Sequence, residues 1–284
     1  MTEISGTTRI FLLAMLLGFG LILERVIPLR QSTQPKYTRV FRNLLIAALS
    51  AVVLKFTFFP LLIWSVQFSS EHKFGLLNLV ELGWPTRLAI SLVLLDYTHY
   101  FWHQMNHKFP ILWRFHNVHH IDLDLDVSTA SRFHFGELLA STIFRILEIF
   151  IFGIDLPTLI LFETAVTAFA QFHHSNVNLP IRLERILNLI FVTPRMHGIH
   201  HSIVRDETDS NYGTIFSIWD RIHRTLRLGV SQNKITIGVP SYPSFLEQTL
   251  FRSLFFPFIL QRKWQSPDGK IPTRKKSLSD NLLP

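Results

Sequence analysis

The apolar residues of this chain fall in long blocks rather than in the alternation of half-buried strands. Ile10 to Leu23 is a run of 14 residues without a charge, closed by Glu24 and Arg25. A bilayer core takes about 20 apolar residues, so this block reads as a short span whose ends reach the headgroups. A signal peptide is the competing reading. The basic residues follow the apolar run and no small-residue cleavage site appears, which favours an anchor. A second block runs from Leu44 to Trp64, interrupted by Lys55, a costly residue inside a membrane. A third runs from Trp84 to about Trp102, with Arg87 at its start and Asp96 inside. The fourth, Gly136 to Phe172, is 37 residues long, and its middle, Gly153-Ile154-Asp155-Leu156-Pro157, reads as a turn. It predicts a helical hairpin with Arg145, Glu148 and Glu163 facing protein. Ile186 to Val192 is too short to span. Buried helices of a soluble protein explain one such block well and four on a chain this short poorly. The predicted fold is all-α: a polytopic membrane protein with about four transmembrane helices.

Composition agrees. Of 284 residues, 48% are hydrophobic and 17% charged, with 26 Phe and a mean hydropathy of +0.26. No cysteine is present, which excludes disulfides, Fe–S clusters, thiolate zinc sites and a Cys nucleophile. The net charge of +8 invites a nucleic-acid reading, but the apolar blocks point to a membrane surface instead. Arg25, Arg30, Lys36, Arg39 and Arg42 follow the first span, whereas about 65–83 holds only Lys73. The positive-inside bias places the first loop in the cytoplasm. The basic tail (Arg262, Lys263, Lys270, Arg274, Lys275, Lys276) then lies on the same side, as a solvated segment that at most touches anionic lipid.

The 14 histidines change the picture most. His99, His103 and His107 recur every four residues. His116, His119 and His120 follow, and much later His197, His200 and His201. Residues at i, i+3 and i+4 share a helix face, so each box is expected to aim its imidazoles in one direction, at a metal with open positions. His72 and His223 stand alone and read as ordinary surface or core residues. An even number of crossings separates the boxes, so all face one membrane side, with His134 and His174 flanking the hairpin at that level. So many neutral nitrogen ligands exceed one tetrahedral zinc and suit two ions. Imidazole accepts Fe, Zn, Cu or Ni, and spacing does not name the element. Soluble carboxylate di-iron bundles use Glu-x-x-His, and no such pair occurs here.

At this point the chain resembles the fatty acid hydroxylase and sterol desaturase superfamily of integral membrane oxygenases. The resemblance covers roughly Asp96 to Thr225. It rests on Leu112-Trp113-Arg114-Phe115-His116-Asn117-Val118-His119-His120, on Arg132-Phe133-His134-Phe135-Gly136-Glu137 and on His174-Ser175-Asn176. It continues through Thr193-Pro194-Arg195-Met196-His197-Gly198-Ile199-His200-His201, Asn211-Tyr212-Gly213 and Trp219-Asp220. It implies two iron ions held by His103, His107, His116, His119, His120, His197, His200 and His201, with His134 and His174 as further ligands. His99 is ambiguous, since some relatives start the first box one turn earlier, and His173 reads as a neighbour of the ligands. Gln104, Phe135, His223 and Arg224 depart from the common pattern, and none of them removes a ligand. The resemblance further implies a cytoplasmic histidine-rich di-metal cap and O2-dependent hydroxylation or desaturation of a C–H bond in a lipid such as a fatty acyl chain or sterol. Asp96, Glu137, Asn176 and Asp220 are candidates to orient imidazole N–H groups.

No nucleotide-binding Gly-rich fingerprint and no His-Pro-Gly-Gly segment is present, so an external electron donor of ferredoxin or cytochrome b5 type is expected, with O2 as co-substrate. The expected organisation is 1–83 for N-terminal helices and a basic loop, 84–230 for the catalytic unit, and 231–284 for a cytoplasmic segment and tail. Two other classes compete. A membrane haem electron-transfer protein needs isolated histidines on opposed helices, and a metal transporter needs histidines and carboxylates mid-span. A two-zinc hydrolase, active without O2, is a third.

Overall fold

The computed structural model describes residues 6–274, so Lys275 and Lys276 of the basic tail lie outside the described residues. The described chain is helical, and its only strand-like pairings are isolated bridges. Helix α1 (Gly6–Val26) carries the first apolar block and buries only Glu24. Ile10, Phe11, Met15, Phe19 and Ile22 are all exposed, as on a helix surrounded by lipid. It is the one described helix long and apolar enough by itself to cross a membrane.

The second block is not one rod. α2 (Lys36–Phe56) and α3 (Phe59–Glu71) meet at a 53° bend, and together they pass the same length and composition test. The break falls at Thr57 and Phe58, beyond Lys55, where Pro60 stands in the first turn of α3. Proline lacks the amide that would continue the helix and clashes with the preceding turn. α2 also begins well before Leu44, so Arg39 and Arg42, expected in a loop, lie within a helix.

α4 (Trp84–Lys108) carries the third block and the first histidines, and Pro110 opens α5 (Pro110–His120) after a one-residue break. α6 (Phe135–Phe152) and α7 (Leu156–His174) form the expected helical pair. Gly153 ends α6 in the left-handed region (φ +75°), and the Asp155 side chain caps α7 by accepting from Thr158 N at 2.8 Å. The arms do not simply lie on each other: α6 packs against α2 and α3, α7 against α1, and α4 touches both arms. Val66, Leu95, Ile149, Leu159 and Phe162 form the core where these helices meet. Arg145 and Glu148 are buried as expected, while the Glu163 side chain, paired with Arg145 at 2.8 Å, is 43% exposed.

Five short helices complete the chain: α8 (Ile181–Asn188), α9 (Pro194–His200), α10 (Arg205–Thr208), α11 (Ile218–Ile222) and α12 (Leu250–Phe255). A buried ion network missing from the sequence reading ties the loop after α5 to the start of the chain. Arg39 pairs with Asp122 at 2.8 Å and with Asp126, and Asn43 donates to Asp122 at 3.1 Å. Glu24 accepts from Val127 N at 2.7 Å and Asn176 N at 2.8 Å, and pairs with Lys36 at 2.7 Å. Several cations counted as loop charge are thus internal partners, all at the histidine end of the bundle.

Candidate metal centre

Nine of the ten histidines singled out above converge. They do so in two groups: His103, His107, His116, His120 and His200 in one, His119, His174, His197 and His201 in the other. Within each group one ring nitrogen per residue lies within 4.8 Å of all the others, and the imidazoles are buried. The expectation that each box aims one way is corrected here. Adjacent residues on a helix point about 100° apart, so each doublet straddles the groups. On α5, His116 and His120 enter the first group and His119 the second. On α9, His197 and His201 enter the second and His200 the first.

The main chain sets the proton positions. A carbonyl only accepts, so an imidazole nitrogen facing one must carry the hydrogen, which leaves the other nitrogen as a bare lone pair. His103 Nδ1 donates to Tyr212 O at 2.8 Å, His200 Nδ1 to Ser210 O at 2.7 Å and His174 Nδ1 to Ala170 O at 2.8 Å. His116 Nδ1 lies 2.8 Å from Glu137 Oε1. The bare Nε2 atoms of these rings turn inward.

In the second group the Nε2 contacts run His119 to His174 at 3.0 Å, His174 to His197 at 3.0 Å and His197 to His201 at 3.1 Å. The single Nε2 lone pair of His174 cannot accept two hydrogens, so at least one of its two contacts sets lone pair against lone pair. His200 Nε2 and both nitrogens of His107 have no hydrogen-bond partner, nor do the Nδ1 atoms of His119, His120, His197 and His201 on the ring edge opposite the Nε2 contacts. Buried orphan acceptors are costly. A cation inside each group would take up the inward lone pairs, which relieves the Nε2-to-Nε2 contacts and the orphaned His200 Nε2, and nitrogens about 2.1 Å from one ion at roughly right angles stand about 3.0 Å apart. Donor chemistry, orphaned atoms and spacing therefore fit a metal in each group. Burial, the first cause, and neighbouring histidines hold His103, His107, His119, His120, His197 and His201 well below the usual histidine range. Burial pushes His174 and His200 down to about 3, against the pull of their backbone hydrogen bonds. Neutral imidazole is the form that ligates.

His134 stands apart from both groups, contrary to the ten-residue expectation. Its Nδ1 accepts from Gly136 N at 2.9 Å, capping α6, and its Nε2 donates to Leu254 O at 3.0 Å. Both ring nitrogens are engaged. His99, one turn before His103, joins neither group and keeps a buried, unpartnered Nδ1. His173 donates through Nδ1 to Thr214 O at 3.0 Å and packs on His197, ring centres 4.2 Å apart.

Of the four orienting candidates, only Glu137 touches an imidazole. Asp220 accepts from Tyr212 N and Gly213 N, both at 2.8 Å, and from Thr225 Oγ1 at 2.6 Å. Asp96 accepts from Trp219 Nε1 at 2.7 Å and Phe216 N at 3.2 Å. Together they brace the 210–216 loop, whose carbonyls at Ser210, Tyr212 and Thr214 hold His200, His103 and His173. Burial raises the Asp220 carboxyl despite its hydrogen bonds. Asn176 instead clasps Arg30, donating from Nδ2 to its carbonyl at 2.7 Å and accepting its amide at 2.9 Å. The three loop carbonyls are invisible to side-chain reading. Their one signal is Asn211, which takes φ +55°, a region asparagine tolerates. Phe133, stacked on His119 at 4.7 Å, was missed as well.

These features define a helical protein with two buried all-histidine groups, each fit to hold a metal, set at one end of a bundle. Residues 88–225, just under half of the chain, match the family model for fatty acid hydroxylase. The chain is 35% identical over 159 residues to an ornithine lipid hydroxylase of Rhizobium tropici, covering 55% of this chain and 47% of that one. It is 28% identical over 195 residues to an alkylglycerol monooxygenase of Danio rerio (66% and 41%). It is 26% identical over 158 residues to a cholesterol 25-hydroxylase of Rattus norvegicus (55% and 52%). The chain thus spans about half the length of these curated relatives. No solved structure matches it.

Proposed function

We propose that the chain is a membrane-bound, O2-dependent oxygenase that hydroxylates a C–H bond of a lipid, with one iron in each histidine group. The observation that carries this reading is the pair of groups itself: nine buried imidazoles, partitioned five and four, whose inward Nε2 atoms crowd one another at 3.0–3.2 Å. The family-model match supports the class of chemistry, since the similar proteins named above are hydroxylases and monooxygenases of lipids.

His103, His107, His116, His120 and His200 would hold one ion, and His119, His174, His197 and His201 the other. When bound, the iron pair supplies the O2 chemistry that amino-acid side chains lack. The chain's own residues do the rest. Glu137 and the Ser210, Tyr212 and Ala170 carbonyls fix ring orientation and tautomer, which raises ligand basicity. Phe133, stacked on His119, shields the second group from water. Hydroxylation consumes O2, two electrons and two protons and yields the alcohol and water, so an external one-electron donor of ferredoxin or cytochrome b5 type completes the cycle.

The four-span, multi-pass topology belongs to the same proposal, with 84–230 as the catalytic unit. It is supported by exposed apolar residues on α1, α6 (Ile143, Leu147, Ile151) and α7 (Ile160, Leu161), and by the bent α2–α3 pair. The histidine groups, Arg25, Arg30, Lys36, Arg39 and Arg42 share one end, which supports a cytoplasmic cap. Purified protein is expected to carry two irons per chain, and cells making it under ¹⁸O2 to place label in a membrane lipid. His119→Ala and His200→Ala should each lower bound iron and abolish labelling. Labelled product from either variant would refute the site.

A further inference from the structure

Behind α9, on the side away from the histidine groups, lies a cavity of about 320 Å³ between α8, α9, α11 and residues 228–232. That volume falls within the range of small-molecule pockets. Ile186, Leu189, Met196, Leu228 and Val230 give it an apolar lining, and Arg185, Arg195 and Arg221 also contribute to its walls. We propose that this cavity binds one anionic membrane lipid, part of an acyl chain inside and the headgroup on the arginines.

Three observations carry the assignment. The first is charge. Arg195 is matched by Glu184 at 2.7 Å. Arg221 donates only to the carbonyl and side-chain oxygens of Asn188, at 2.9 and 3.1 Å. Arg185 has no hydrogen-bond or ion-pair partner among the described residues. Two guanidinium charges beside an apolar cavity thus lack a carboxylate, and a phosphate headgroup complements them.

The second is position. α8 presents Ile181, Ile186, Leu189 and Ile190 to its surroundings, Ile186 and Leu189 at 65% exposure, with Arg182 and Arg185 between them. A short amphipathic helix of this kind lies in the bilayer interface. It follows α7 after six residues, and α7 ends at His174, so the cavity opens at headgroup depth. The third is separation. Met196 and Ile199 line the cavity, while His197 and His200 of the same helix turn into the histidine groups. An acyl chain lodged here does not reach the metal site. It supports α9, which carries His197 and His200 and leads directly into His201.

The assignment needs the membrane location of the chain but not its oxygenase activity. The test is native mass spectrometry of the full chain in neutral detergent, given equal phosphatidylglycerol and phosphatidylcholine. The wild type should retain one phosphatidylglycerol in preference to phosphatidylcholine. Arg185→Ala should lose about fivefold of that preference, taking about 1 kcal/mol per cation at an anionic surface. Leu228→Trp, which fills the cavity, should retain no lipid while keeping its bound iron. Equal retention of the two lipids by the wild type would overturn the proposal. So would an Arg185→Ala variant that binds like the wild type, or displacement of the lipid by millimolar inorganic phosphate, which would mark a simple anion site.

Discussion

Replacing Glu137 with Gln tests the two-group arrangement with an internal control. Glu137 Oε1 stands 2.8 Å from His116 Nδ1, and both residues are at most 5% exposed. Gln keeps the size and one acceptor oxygen, so the ring need not move, but the acceptor becomes neutral. A hydrogen bond to a charged group contributes about 1.5–3 kcal/mol and a neutral one about 0.5–1.5 kcal/mol. The difference, about 1–1.5 kcal/mol, corresponds to a five- to tenfold loss of affinity for the ion that His116 helps to hold. The second group has no contact with Glu137, so its ion should bind as before. The assay is titration of metal-free protein with Fe(II) or Co(II) against a competing chelator. Wild type and variant should share one binding phase and differ in the other. Equal weakening of both phases, or of neither, would refute the assignment of His116 and its partner to one group.

Other outcomes follow from the same coordinates. Arg39→Met strips the buried Asp122 and Asp126 of their cation and should cost about 3–5 kcal/mol, read as a lowered thermal midpoint in detergent; a midpoint equal to wild type would show that the network is dispensable. His134→Ala should lose about 1 kcal/mol of helix capping yet bind as much iron as wild type, whereas His174→Ala should lose iron; iron loss in the His134 variant would restore it to the ligand set. Burial sets His174 and His200 at about 3 in the folded protein, below the unfolded value near 6.5. The unfolded chain therefore binds more protons below pH 6.5, and metal-free protein should be fully stable above that pH and weaken progressively as pH falls toward 3. Denaturation midpoints unchanged between pH 7.5 and 5 would contradict this.

The histidine boxes were legible in the sequence because a helix places i, i+3 and i+4 on one side, and the apolar blocks with their Gly153–Pro157 turn announced α6 and α7. The division of labour inside each box was not. A three-residue periodicity says that His116, His119 and His120 are neighbours, but two separate groups sort them by the 100° step between His119 and His120. His134 was read as a ligand by resemblance alone, and its place one residue before α6 makes it a cap instead. Arg39 was counted as loop charge because nothing local reveals that Asp122 and Asp126, more than 80 residues on, will reach it. Asp96 and Asp220, expected to orient imidazole N–H groups directly, do not touch a histidine; they act one step removed, through backbone amides.

That one step has an evolutionary corollary. Three imidazoles take their orientation from the peptide oxygens of Ser210, Tyr212 and Thr214, and no point substitution can delete a peptide oxygen. The identities of those three residues are therefore freer to drift than their count. Inserting or deleting a single residue between Ser210 and Phe216 would rotate the wrong atoms toward the rings.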